Sequence, residues 1–92
     1  MYQQMMHDAL KEKAPALYRQ LEVSGKLKAY VETQAEEMDQ SIMDEVSRRM
    51  VKKEVQELPF MEKVQRLNQI KREAQEQGFA TYLNEFPGQS DQ

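Results

Sequence analysis

The chain has 92 residues, 39% of them hydrophobic and 32% charged, with a net charge of −3 and no cysteine. That length makes one domain with a modest core, excludes a disulfide framework or thiolate site, and sets bulk charge against nucleic-acid binding. A mean hydropathy of −0.90 fits an elongated helical protein or a subunit that completes its core by association, and no apolar run nears the ~18–20 residues of a membrane span.

In chain order, Met1-Tyr2-Gln3-Gln4-Met5-Met6 lacks the basic start and apolar block of a secretory signal. With the missing cysteines, this makes a reducing cytoplasm the simplest expectation. Pro15 favours the first turn of a helix and disfavours helix at Ala14. Two short helices are expected, over residues 2–13 and 15–23, with Tyr2, Met6, Ala9, Leu10, Leu17 and Leu21 facing a core. Ser24-Gly25 is a stop-and-restart signal. Gly25 suits the left-handed position after a helix end, while Ser24 either belongs to that end or caps the next helix.

From Lys26 to Glu57 no Gly or Pro interrupts the chain, which permits one helix about 48 Å long. Leu27, Val31, Ala35, Met38, Ile42, Val46 and Met50 form its stripe, widened by Tyr30, Met43 and Val51. A strict heptad would place apolar residues at Glu45 and Lys52, so the helix is expected to pack on its own domain rather than in a long coiled coil. Asp44–Arg48 and Glu45–Arg49 are acid-before-base pairs at i,i+4. Pro59 pushes Leu58 out of helical geometry and opens a last helix at its first turn. Phe60, Met61, Val64, Leu67, Ile70 and Ala74 line that helix. Gly78 either ends it or weakens it by roughly 1 kcal/mol, before the aromatic tail Phe79, Tyr82, Leu83, Phe86. No strand pattern is present. The expected fold is all-α: two short N-terminal helices, a long central helix and an antiparallel C-terminal helix, in one domain over residues 1–88 with a disordered tail at 89–92. A homodimer would complete the thin core.

Several residue groups invite a functional reading. Glu32, Glu36, Glu37, Asp39, Asp44 and Glu45 fall in a stretch, residues 29–47, without Lys or Arg; they form a solvated acidic face and a candidate partner-binding surface. Arg48, Arg49, Lys52 and Lys53, with Arg66, Lys71 and Arg72, are the candidate nucleic-acid contacts of an alternative reading, in which affinity falls steeply with salt. His7 is the sole histidine, and without Cys or Glu-x-x-His motifs neither a transition-metal nor a di-metal site is expected. Tyr18 and Tyr30 flank the Ser-Gly corner without an evident activating base; with Leu17, Gly25 and Leu27 they have structural roles, the rings packing and the hydroxyls reaching water or a backbone carbonyl. Asn68, if buried, must hydrogen-bond to that corner or to its counterpart in a partner chain. Met38, Met43, Met50 and Met61 occupy core-like positions. No catalytic constellation emerges, so neither an enzyme nor a cofactor is expected.

Ala9-Leu10-Lys11-Glu12, Leu17-Tyr18, Ser24-Gly25-Lys26-Leu27, Tyr30-Val31 and Gln34-Ala35-Glu36-Glu37-Met38 resemble the N-terminal half of a family. Val64-Gln65-Arg66-Leu67-Asn68-Gln69-Ile70 with Ala74 resembles its second block. The family is TnpV, small proteins of bacterial transposons and related mobile elements. The resemblance spans roughly residues 9–83. Lys63 replaces a usual aromatic and Gln77-Gly78 replaces aliphatic residues. The resemblance implies genetic context more than mechanism: a mobile-element protein in a bacterial cytoplasm. With the segregated charge and the missing catalytic constellation, the expectation is a non-catalytic accessory protein acting by protein–protein binding. Its expected partner is either a host defence nuclease, inhibited as by an anti-CRISPR, or the element's recombination machinery.

Overall fold

The computed structural model describes residues 2–86; the expected tail at 89–92 and the Pro87-Gly88 boundary lie outside these residues. Five helices follow in order: α1 (Tyr2–Lys13), α2 (Pro15–Ser24), α3 (Leu27–Met50), α4 (Lys53–Gln56) and α5 (Phe60–Asn84). No strand occurs among the described residues. The all-α reading therefore holds, and α5 returns along α3 as the expected antiparallel neighbour.

Both corners follow from local chemistry. Ala14 leaves helical geometry at φ −136°, ψ 63°, just before Pro15 at the start of α2. Gly25 adopts φ 76°, a left-handed conformation that a side chain disfavours. Its N–H donates to the Glu22 carbonyl at 3.2 Å and the Lys26 N–H to the Leu21 carbonyl at 2.9 Å, which makes a Schellman ending. Ser24 belongs to that ending: its hydroxyl donates to the Leu21 carbonyl at 3.1 Å, and Lys26 stands at the N-cap of α3.

The central helix is shorter than expected. It ends at Met50; Lys52 is extended at φ −63°, ψ 140°, and α4 is a separate single turn. The stripe explains the break. Lys53 lies 18 residues after Ala35, about five full turns, so a continuous helix would aim its ammonium along the core side. Val55 would point nearly half a turn away from that side. Breaking the helix keeps both lysines exposed and turns Val55 inward, where only 2% of it remains exposed. The Gln56 amide then donates to the Met50 carbonyl, one of the groups that the helix end leaves free. Pro59 also sits one residue outside the position expected of it. It is the N-cap of α5, and its carbonyl accepts the Lys63 N–H at 2.8 Å.

The main core joins Met6, Leu10 and Ala14 to Val31, Ala35, Met38 and Ile42 of α3, with Ala74 and Phe86 from the C-terminal part. Leu17, Tyr18, Leu21, Leu27 and Tyr30 pack against it partly buried. α1 lies over the first half of α3 and the second half of α5. Its Tyr2 ring meets Phe79 edge-on, with ring centres 5.8 Å apart, and the Tyr2 hydroxyl accepts the Gln75 amide at 3.2 Å. Beyond Tyr2, α3 and α5 continue as a two-helix arm closed by α4. The molecule accordingly measures 53 × 25 × 16 Å.

Helix α5 runs straight through Gly78, which is buried in the seam. A Cβ there would lie 2.7 Å from Ile42 Cγ1 and 3.1 Å from Ile42 Cδ1. Helix propensity favours Ala by about 1 kcal/mol, while overpacking a filled core costs about 1–3 kcal/mol. Gly78→Ala is therefore expected to be neutral to destabilising in the native chain and stabilising by about 1 kcal/mol in an Ile42→Ala background. Urea denaturation of the four proteins in this cycle tests it; equal effects in both backgrounds would remove the close contact as the cause.

Candidate functional site

The α3 helix divides the acidic stretch. Residues three and four apart share a helix face, so Glu32, Glu36 and Asp39 run down the side beside α1. With Tyr2, Gln3 and Ala35 they line an open depression of about 580 Å³. Glu37 and Asp44 turn to another side. There they line a second depression, about 540 Å³, with Gln40, Ser41, Glu45, Arg48 and Tyr82. The six acids are thus two surfaces, separated by the curvature of one helix.

The two surfaces differ in how their charges are held. Glu37 accepts the Gln34 amide at 3.3 Å and Asp44 the Gln40 amide at 2.8 Å. Neutral amides hold these two carboxylates, and among the described residues neither forms an ion pair. Glu45 is the exception, since Arg48 pairs with it. Tyr30 has its pKa raised above the ordinary tyrosine value, first by burial and then by the negative charge of Glu37. Its phenol stays protonated and packs against the core.

The cations do not form one surface. Arg48 pairs with Glu45 three residues before it, in place of the expected Asp44. Arg49 reaches across to α5 and donates to Glu73 at 2.8 Å, in place of the expected Glu45. The reason is position: Arg49 lies seven residues after Ile42 on the α5 side of α3, where Glu73 meets it. Lys52 and Lys53 are exposed at the arm's tip. Arg66, Lys71 and Arg72 are exposed on α5, but the helical turn points them in three directions, roughly 100–140° apart.

The remaining candidates resolve one by one. Asn68 is exposed, so it needs neither the Ser-Gly corner nor a buried partner. Met38 is fully buried, but Met43 is 55% and Met61 67% exposed, contrary to the expected core filling. Tyr18 has a partner that the sequence did not reveal. Its hydroxyl lies 3.2 Å from His7 Nε2, and His7 Nδ1 lies 3.5 Å from the exposed Asp8 carboxylate. The rings also meet edge-on at 5.3 Å, with Lys11 Nζ 5.9 Å from the Tyr18 ring centre. This line of carboxylate, imidazole and phenol ties α1 to α2. Eleven residues separate Tyr18 from His7 across the Ala14 corner, so no helical spacing rule signalled the contact. Among the described residues no group of three or more His, Cys, Asp or Glu is placed to hold a metal ion, and no helix is long and apolar enough to cross a membrane.

Comparison with known proteins gives one match. The sequence profile of a family described as "Transposon-encoded protein TnpV" matches residues 1–79. No curated protein and no solved structure matches the chain. The matched span takes in α1 to α4 and most of α5, including all six acids of the two surfaces and Gly78 but not Tyr82.

The Arg49–Glu73 link makes a pH signature. Hydrogen bonds from Arg49, then from Gln69, hold the Glu73 carboxyl below its ordinary pKa. A lowered folded-state pKa contributes stability that is complete above the unfolded value and is lost as pH falls through the folded one. Glu73→Gln is therefore expected to be less stable than the parent at neutral pH. The gap should begin to narrow as pH falls below about 4.3, where the unfolded carboxylate protonates, and close at still lower pH, once the folded carboxyl protonates too. Denaturant melts across that range check it; a gap independent of pH would mean that packing, not charge, joins these helices.

Proposed function

The chain belongs to the TnpV family of transposon-encoded proteins, and from that premise we propose that it is a non-catalytic accessory protein of its mobile element. It acts in the cytoplasm of a bacterial host by docking on a protein that handles nucleic acid. The docking surface is the depression of Glu37, Gln40, Ser41, Asp44 and Tyr82, which the paired Glu45 and Arg48 also border. The observation that carries this reading is that Glu37 and Asp44 are held by glutamine amides and, among the described residues, pair with no cation. A cationic groove built to receive phosphates presents the complementary charge, and opposite potentials both steer and select such a partner. Two proteins fit the role: a host defence nuclease, which the chain would inhibit in the manner of an anti-CRISPR, and the element's own recombination enzyme.

Direct nucleic-acid binding has less behind it. Of its seven candidate cations, Arg48 and Arg49 are paired with Glu45 and Glu73. The others are spread over the arm's tip and several sides of α5.

The test uses purified proteins: this chain, the recombination enzyme of its element, and the defence nucleases of its host, each with and without bound nucleic acid. Binding to one of them is expected, weakened at least about tenfold by that protein's nucleic acid and by Glu37→Lys/Asp44→Lys, a change of about 1.4 kcal/mol or more. Binding that ignores both would overturn the acidic-surface reading. A low-salt gel shift of DNA or RNA by the chain alone would favour the nucleic-acid reading instead.

A further inference from the structure

The sole histidine of the chain meets one of its four tyrosines. The Tyr18 hydroxyl lies 3.2 Å from His7 Nε2, and His7 Nδ1 lies 3.5 Å from Asp8 Oδ1. The same Asp8 oxygen accepts the Gln4 amide at 2.9 Å, which holds the carboxylate beside the ring. An ionised carboxylate only accepts hydrogen bonds. The hydrogen of the neutral imidazole is therefore assigned to Nδ1, and the Nε2 lone pair faces the phenol. A nucleophile, a base and an orienting group thus stand in order, with the phenol within proton-transfer reach of the base. Tyr18 and His7 are both only partly buried, so the pair stands at the surface and not inside the core.

We infer that Tyr18 is a covalent acceptor for one acyl group, taken from an activated carboxylic derivative with His7 as general base. The phenol oxygen attacks the carbonyl carbon, and its proton passes to His7 Nε2 as the O–C bond forms. The bond from that carbon to its leaving group then breaks. The leaving group departs with the bonding pair, and His7 returns the proton to it. An aryl ester of Tyr18 remains. The step is stoichiometric and leaves the non-catalytic reading of the chain intact. Charge selects the acyl class. The charged groups about His7 and Tyr18 are Asp8 and Lys11 on α1 and Lys28 and Glu32 on α3. Lys11 Nζ lies 5.9 Å from the Tyr18 ring centre, and Lys28 and Glu32 line a depression of about 270 Å³ with His7. Two acids and two lysines leave no surplus of positive charge to gather a phosphoryl or nucleotidyl donor. An uncharged carbonyl needs none, and Leu27 and Val31 give the same depression an apolar wall beside His7.

Acetylation of the full chain by N-acetylimidazole, followed by peptide mass mapping, tests this. Tyr2, Tyr30 and Tyr82 have no imidazole to meet, because His7 is the only one, and they serve as internal references. Tyr82 is partly buried like Tyr18 and is the closest match. Tyr18 is expected to react at least about tenfold faster than Tyr82, a modest share of the ~10²-fold or more that a positioned general base supplies in a finished site. His7→Gln is expected to remove that advantage with helicity unchanged. A second readout needs no variant. The rate at Tyr18 is expected to step upward with pH where the His7 ring protons titrate by NMR, and the rate at Tyr82 to lack that step. Reaction at Tyr18 no faster than at Tyr82 overturns the inference. So does a rate that His7→Gln leaves unchanged, or a wild-type profile without the step, either of which would make the Tyr18–His7 contact packing alone. Neither residue lines the depression of Glu37 and Asp44, so loss of acylation and loss of partner binding are separate outcomes.

Discussion

Helices α3 and α5 approach closely because α5 has no side chain at Gly78. The Ile42 side chain occupies the space that a Cβ would take, and Met38 Cγ lies 3.8 Å from the same point. Met38 is fully buried, and Ile42, Ala74 and Gly78 are buried around the contact. This seam fixes the rotation of both helices at once. It determines which side of α3 meets α1, where Arg49 finds Glu73, and which carboxylates share a surface. Small residues on one helix and branched or flexible ones on the other are how two ridged cylinders reach close packing.

The seam also explains why the molecule is clad on one half only. α1 and α2 contribute Met6, Leu10 and Ala14 to the main core and partly bury Leu17, Tyr18 and Leu21. They finish the core around the first half of α3. Among the described residues the arm has no equivalent layer. Its own closure depends on Val55 and Ile70, which are buried outside the main cluster. A chain this short has little apolar area to spare. Five large apolar side chains stay open on the arm all the same: Met43, Val51, Phe60, Met61 and Val64.

The apolar stripe from Leu27 to Met50 and the proline and glycine corners were legible in the sequence, because period and backbone chemistry are local. The end of α3 was legible in principle. Counting five turns on from Ala35 reaches Lys53, and the absence of Gly or Pro does not outweigh a lysine aimed at a core. The path through Gly78 could not be read locally, since a helical glycine is unfavourable until a neighbour needs its space, and that neighbour, Ile42, is 36 residues away. The same distance in sequence hid the Arg49–Glu73 pair, the Tyr18–His7 contact and the exposure of Asn68. Phe60 and Met61 satisfied the apolar pattern of a core-facing helix, yet nothing in the described chain covers them. Pattern gives the side on which a residue stands; only tertiary structure says whether anything stands opposite.

The acidic stretch carries the same lesson to the candidate site. In sequence it is a single run, and a run of charge invites the idea of a single electrostatic patch. Fourteen residues from Glu32 to Glu45 make nearly four helical turns, so adjacent acids can stand on different sides. Glu36 and Glu37 are neighbours in the chain but line different depressions. One set borders α1, with Tyr2 and Gln3 beside it. The other faces away, its Glu37 and Asp44 held by glutamine amides. A small helical rod can in this way present two separate acidic surfaces, because the helix separates what the sequence lists together.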